Sequence, residues 1–464
     1  MKKIILTLGA LSLGLTACVG NTGNNSNSTV TQAQVLQDNL NFFKLGAGVD
    51  PQTFMPYDTI YVDKTTHQIT RTVRQFNTTE TGLYLNILLL IAEQKIPCTF
   101  ITPTQALVQM QTIVNELLSL QTTPGKSWKG LFYWPYQIES DGNITPGIDP
   151  TSTQATSTIP DVDNSNLDFS LAAVLGAYQS SSDSTRLHIA TTVQQIIDNQ
   201  TDGWSQIAAL TGEPSCPNCI RAGWDTATNQ PLGYYIDRKA NESRLSPLWA
   251  LIQGYTSNES SFNQMPLYSN VTTLSSGESI TAELTWDGTT FQLFLPRILL
   301  REDQLIPNYD QIASNYITVM QNFIESNNVP AFVSASSGVD DNYYSFGVPS
   351  LSECDSRGWC TPPSFVNGTP HATALVNLYS PSISNQYFNS LYQCGNTLTP
   401  YGLYDAIGQN CQTGTELISL DQGMLVLGLA GNDIANYVGV YLQRIGKWSL
   451  VQRLYQSYQP VPLN

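Results

Sequence analysis

A helical period recurs along almost the whole of this chain, and it constrains the fold more than any other feature. In 102–120, Thr102 precedes Pro103 and Gln105 follows at the third position. That is an N-cap, a proline at N1 and a capping-box partner. Leu107, Met110, Ile113, Val114, Leu117 and Leu118 then fall on one stripe. After Pro307, Ile312, Tyr316, Val319, Met320 and Phe323 repeat the pattern over 308–326. The same reading predicts helices over 79–94, 165–180, 184–199, 242–256, 280–300, 369–379, 383–393, 419–430, 433–443 and 447–457. Between some helix pairs lie long Gly/Pro/Asn-rich loops, at 121–163, 212–241, 328–368 and 394–417. Loops of that length in a compact domain are usually functional. The expected architecture is one large all-α domain of paired helices, an α/α toroid with its loops lining one mouth.

The N-terminus reads as an address. Met1-Lys2-Lys3 is basic, and Ile4 to Leu15 is an apolar run too short to span a bilayer. It closes on Leu15-Thr16-Ala17-Cys18, the form of a bacterial lipobox, so Cys18 is the expected lipidation site after removal of a signal peptide over 1–18. A plain secretory signal with an incidental cysteine is the alternative. Residues 19–35, rich in Asn, Ser, Thr and Gly, read as a flexible tether, and 36–464 as the folded domain. Val19 is not the Asp of an inner-membrane retention signal, so the expected location is the cell envelope, at the outer membrane. Membrane association is expected through the lipid anchor only.

Export permits disulfides. Seven cysteines follow Cys18, so at least one is unpaired. Proximity along the chain suggests Cys216–Cys219, Cys354–Cys360 and Cys394–Cys411, with Cys98 free. Cys216-Pro217-Asn218-Cys219 also has CxxC spacing, but there is no second CxxC, and the three histidines lie far off in sequence.

Charged residues are only 12% of the chain, about half the usual ~25%. A net charge of −16 with no Lys/Arg cluster removes the electrostatic basis for nucleic-acid binding. The loops instead carry aromatics: Trp128, Phe132, Tyr133, Trp134, Tyr136, Trp224, Tyr234, Tyr235, Tyr343, Tyr344, Phe346, Trp359, Tyr401 and Tyr404. Their faces suit the C–H patches of a sugar ring. Glycoside cleavage needs two carboxyl groups flanking one bond. Asp163, Glu242 and Asp421 all sit at predicted helix starts, where an N-cap or first-turn acid would equally account for them. Asp287, before Gly288, reads as a turn residue. There is no GxSxG elbow, HExxH or phosphate-binding glycine motif.

At these residues the chain resembles the glucoamylase-like six-hairpin α/α-barrel proteins. These include bacterial endo-β-1,2-glucanases and the matching domain of cyclic β-1,2-glucan synthases. The similar segments, in order, are TETGLYL (79–85), GLFYWPY (130–136), VDNSNL (162–167), NESRL (241–245), WDGTTFQLFLP (286–296), PHATAL (370–375), YGLYDAI (401–407) and SLDQGM (419–424). Departures include Gln292 where the family usually has Glu, Glu80 where Asn is common, and Asn166 in the synthase-like form.

The resemblance implies an (α/α)6 toroid and a glycoside hydrolase acting on a neutral β-glucan, β-1,2-glucan favoured, by an inverting mechanism. Glu242 would be the general acid and Asp421 the general base, with Asp163 in support. Tyr136, Arg244, Trp286, Tyr344, Phe346, His371 and Tyr404 would meet the substrate. No metal or organic cofactor is implied. The expected partner is a poly- or oligosaccharide, and the expected state a monomer. A non-catalytic glycan-binding lipoprotein and a transglycosylase on the same fold remain the alternatives.

Overall fold

The structure, a computed structural model, describes residues 29–148, 154–209 and 216–463. The signal peptide, Cys18 and the tether up to residue 28 lie outside the described residues. The packed domain begins earlier than expected. Helix Gln32–Leu40 takes in the last part of the expected tether, because Val35 and Leu36 have a core to enter.

Six helices form an inner ring: α1 (Thr78–Ala92), α2 (Asp161–Tyr178), α3 (Leu245–Gln253), α4 (Thr290–Leu299), α5 (Pro370–Asn377) and α6 (Ser419–Ala430). Along the chain each packs against the next directly, except that α4 meets the third through the 3-10 turn Glu242–Arg244 that leads into it. The sixth then returns to the first, which closes the toroid. Every residue of α1 is buried, as a helix that is apolar all round must be. Small residues let the ring tighten. A Cβ at Gly428 of α6 would come within 2.7 Å of the Ala374 carbonyl oxygen of α5.

An outer layer covers the ring. Pro103–Thr122 packs on α1, Ser184–Asn199 on α2, Pro381–Gln393 on α5 and Gln32–Leu40 on α6. These helices bury one face only. In Pro103–Thr122 that face holds Met110, Ile113, Val114, Leu117 and Leu120, and its N-terminus carries the Thr102–Gln105 capping box. Asp433–Arg444 turns back from α6 to lie against α2 and α4. Among the described residues no single helix is long and apolar enough to cross a membrane.

One expected helix is partly wrong. The segment 280–300 divides into strand Ser279–Leu284, paired antiparallel with Tyr268–Thr273, and then α4. Ser275-Ser276-Gly277 makes the turn, with Gly277 at φ +88°, and Thr281 and Ile280 belong to a pleated face rather than a helical stripe.

Short strand pairs pin the helix starts. Gln75–Phe76 pairs with Tyr136–Ile138 just before α1. Thr158–Pro160 pairs with Gly223–Asp225 just before α2. Asn367–Gly368 pairs with Ile407–Gly408 before α5, and Glu416–Ile418 with Thr59–Val62 before α6. The ring therefore presents N-terminal ends that are held from the loop side. The cysteine pairs Cys216–Cys219, Cys354–Cys360 and Cys394–Cys411 are joined, with Cα separations of 5.4, 5.3 and 5.5 Å, and Cys98 is free.

Candidate active site

The helix starts place an unbroken series of acidic groups in one mouth. Glu80 in the first turn of α1 feels Asp163 in the first turn of α2, and Asp163 feels Glu242, which precedes α3. Glu242 feels Asp287, ahead of α4. Asp421 in the first turn of α6 feels Asp405, Glu80 and Asp58. Among the described residues, none of these seven carboxyl groups is ion-paired with Lys or Arg. A helix N-terminus favours a carboxylate by ~0.3–1 kcal/mol, up to ~2 in part-buried sites. Burial next to like charges outweighs that here and holds protons on the site.

Glu242 begins the 3-10 turn Glu242–Arg244, where the Asn241 side chain accepts the Ser243 N–H at 3.0 Å. Its Oε2 is buried without a hydrogen-bond partner. Burial first, and then the Asp287 and Asp163 charges, push its pKa up to about 7. A carboxylic acid in that range can carry a proton to a leaving group near neutral pH.

Asp421 is buried beside Asp405, and neither of its oxygens has a conventional partner at rest. Burial and the Asp405 charge hold its proton well above the usual carboxylate range. Asp405 accepts the Ser337 backbone N–H at 2.7 Å, so it is the better-stabilised anion of the two. The pair shares one proton, as like charges in one dry site do. His371 Nδ1 lies 3.4 Å from Asp421 Oδ2 and 2.8 Å from the Thr369 hydroxyl. Burial pulls its pKa down to about 3, so it is neutral. His371, Asp405 and Asp421 offer ligand atoms within 4.8 Å of one another, a donor set that could hold a metal ion.

Asp163 accepts the Thr79 hydroxyl at 2.6 Å, and burial raises its pKa to about 6. It caps nothing. The N-cap of α2 is Pro160, so the helix begins four residues before the predicted start.

Tyr343 ties the two sides of the mouth together. The residue is 59% exposed and lines the cleft, and the charges of Asp421, Asp405, Glu242 and Asp58 bear on its hydroxyl. It rides on the hairpin that pairs Ser336–Ser337 with Tyr343–Tyr344. Asp287 also belongs to the site rather than serving only as a turn residue. Its Oδ2 accepts the Ser345 hydroxyl at 2.9 Å and Gln292 Nε2 at 3.2 Å, while its N–H donates to Gln292 Oε1 at 3.1 Å. Gln292 is thus the clasp on Asp287.

Several residues expected to touch substrate lie elsewhere. Arg244 points into the core and pairs with Glu302, with no side-chain exposure. Tyr136 is buried, stacks on Phe76 and donates to the Lys126 carbonyl at 2.6 Å. Tyr404 is buried and donates to the Val62 carbonyl at 3.2 Å. Phe346 is buried between Tyr344 and Phe365. These groups brace the loops, because an aromatic on a long loop has as much to gain from the core as from a ligand. His371 reaches the site only through Asp421. Tyr344 does line the cleft, whereas Trp286 is half-buried next to Trp359 and outside the cleft lining. Sequence reasoning passed over Asp405 and Glu80 although both lie inside matched motifs, and it passed over Asp58 and Tyr343 as active-site groups.

Ring and site together define an α/α toroid with a carboxylate-lined mouth. Solved structures share this fold. The chain superposes on the endo-β-1,2-glucanase of Talaromyces funiculosus in complex with sophorose, with a TM-score of 0.78 and 16% identity, covering 92% of this chain and 89% of that one. A glutamate-to-glutamine mutant of that enzyme with β-1,2-glucan matches equally. The endo-β-1,2-glucanase of Chitinophaga pinensis, in complex with sophorotriose and glucose, matches at TM-score 0.65 and 15% identity, covering 92% of this chain and 98% of that one. No family model and no curated protein matches the sequence.

Proposed function

We propose that this protein is a lipid-anchored glycoside hydrolase that cleaves a neutral β-glucan, β-1,2-glucan first, by an inverting acid/base mechanism. The observation that carries the reading is the difference between two carboxyl environments in one mouth. Glu242, its Oε2 buried without a partner, has its pKa pushed up to about 7 by burial and by the Asp287 and Asp163 charges, while Asp421 lies buried beside Asp405. An uncompensated acidic mouth repels anions and suits an uncharged sugar. The fold shared with two endo-β-1,2-glucanases supports the substrate class.

In this reading Glu242 gives its proton to the departing glycosidic oxygen. A water on the opposite face attacks the anomeric carbon, and its proton passes to Asp421 as the proton of Asp421 moves to Asp405. The glycosidic bond breaks, the new C–O bond forms with inversion, and both carboxyl sites reset through solvent. Asp163 orients a sugar hydroxyl with Thr79.

The test is incubation of the mature protein with β-1,2-glucan, following reducing ends and the anomer first released. New reducing ends in the α-configuration support the proposal. Changed chain lengths at constant reducing ends indicate a transglycosylase, and binding without turnover a glycan-binding lipoprotein. The anchor is tested separately: Cys18→Ser should abolish lipid modification, and a lipidated mutant overturns that part.

A further inference from the structure

The cleft has one wall that the ring of helices does not supply. Ser352 caps the short helix Glu353–Ser356, and the chain then loops back so that Cys354 and Cys360 are joined. This loop displays Trp359 with 62% of its surface exposed. The Trp359 ring stands 6.0 Å from that of Trp286, tilted by 42°.

Both indoles are held from behind. The Arg238 guanidinium lies 5.3 Å from the Trp286 ring centre, and that of Arg357 lies 5.0 Å from the Trp359 ring and 4.9 Å from Tyr268. One buried carboxylate, Glu353, fixes both arginines. It accepts Arg238 Nε at 2.6 Å and Nη2 at 3.0 Å, and Arg357 Nε at 2.8 Å. An exposed tryptophan on a cross-linked loop, braced by a charge that is itself tied down, has already lost the freedom that binding would remove.

A cavity of about 300 Å³ opens between this loop and the catalytic mouth. Asp287, Tyr343 and Tyr344 line it on the catalytic side, and Asp355 with the Cys360–Pro363 stretch on the other. Its size falls at the lower end of small-molecule sites, ~300–1,000 Å³. Asp355 Oδ1 is buried without a hydrogen-bond partner. The cavity thus runs from Asp287, which acts on Glu242, to the free acceptor on Asp355 and to Cys360, and Trp359 stands outside it, next to Cys360 on the same loop, beside Arg357 and Asn270.

We propose that the Cys354–Cys360 loop builds an outer sugar subsite, with Trp359 as the stacking platform and Asp355 as an acceptor for a sugar hydroxyl. The subsite makes the protein favour long glucan chains over short ones. This rests on the glycan reading above and adds to it a determinant of chain length.

The experiment compares long β-1,2-glucan with the shortest oligosaccharide cleaved, in the parent, Trp359→Ala and Trp359→Phe, and in the double mutant Cys354→Ser/Cys360→Ser. Trp359→Ala should lower the long-to-short ratio of kcat/KM at least ~5-fold, as loss of a stacked ring does. Trp359→Phe should keep most of it, and the double mutant should fall between. An unchanged ratio in Trp359→Ala overturns the subsite and leaves hydrolysis standing. The same ratio of affinities, measured by calorimetry in a Glu242→Gln background, reads the subsite without turnover. A ratio that falls in binding while the parent cleaves nothing supports the subsite and sinks the hydrolase reading. Absence of binding to any glucan overturns both.

Discussion

Arg244 grips Glu302 through two N–H groups, Nε at 2.7 Å and Nη2 at 2.6 Å, where neither side chain meets solvent. Its remaining donors hold the carbonyls of Asn241, Gln292 and Leu293, so one guanidinium locks the Glu242 turn to α4. Removing one partner of a buried pair typically costs ~3–5 kcal/mol. Arg244→Met should therefore lower unfolding stability by about that much in urea titration, and adding Glu302→Leu should recover part of it. A mutant that loses glucan affinity at full stability would restore Arg244 to the substrate side.

Glu242→Gln and Asp421→Asn remove proton transfer while keeping size and shape. Each should reduce turnover of β-1,2-glucan by at least ~100-fold with the thermal midpoint nearly unchanged. Turnover within a few-fold of the parent in both mutants would mean that the acid and base lie elsewhere.

The limbs of the pH profile carry their own signatures. The Asp287 charge raises the Glu242 pKa, so Asp287→Asn should move the alkaline limb of kcat/KM, near 7 in the parent, to lower pH. The Asp405 charge raises the Asp421 pKa, so Asp405→Asn should move the acid limb to lower pH as well. Opposite shifts in a rate–pH series would contradict the assignments.

Stability should fall as pH rises from about 4.5 to 7. Glu242 and Glu283 are held at about 7 and Asp163 and Asp405 at about 6, against ordinary values of 4.5 and 3.8. In that window the folded chain holds more protons than the unfolded one, so each unit of pH weakens it, and the loss from these four groups ends only once pH has passed through their folded values. Asp50 and Asp303, whose pKa values are lowered, act in the opposite sense but only at more acid pH. Calorimetric midpoints should drop by at least ~2 °C between pH 5 and pH 7.5, and a rise would refute the assignment of these protons.

Chelation separates two uses of His371, Asp405 and Asp421. If the carboxyl pair works by holding a proton, EDTA leaves turnover and midpoint unchanged. Loss of both, restored by one divalent ion, would make the three residues a metal centre.

The fold was legible where local pattern and tertiary demand agree. Thr102-Pro103 with Gln105 announces a helix start, and the 308–326 stripe announces a buried face. Ser279–Leu284 misled because its alternation of Ile280, Ala282 and Leu284 with polar residues is short and runs on into the helical stripe of α4, and its partner strand lies across a turn. The acids at helix starts were legible for the same local reason. Asp58, Asp405 and Tyr343 were not recognised as site residues, since they stand on loops and reach the mouth only when the ring closes. Arg244 was expected at the substrate because nothing near it in sequence reveals its buried partner Glu302.

That closure has a consequence for the order in which the molecule comes to life. The first helix of the ring is complete long before the last, and α6 carries Asp421. A ribosome delivers Glu80, Asp163 and Glu242 well ahead of it. Until the final helix slots between its neighbours, Asp421 is missing from the mouth, and the flanks of α1 and α5 face water. A chain truncated before α6 therefore both lacks one side of the acidic mouth and exposes apolar flanks. The mouth and the seal over the apolar flanks are completed together, by the last helix of the ring.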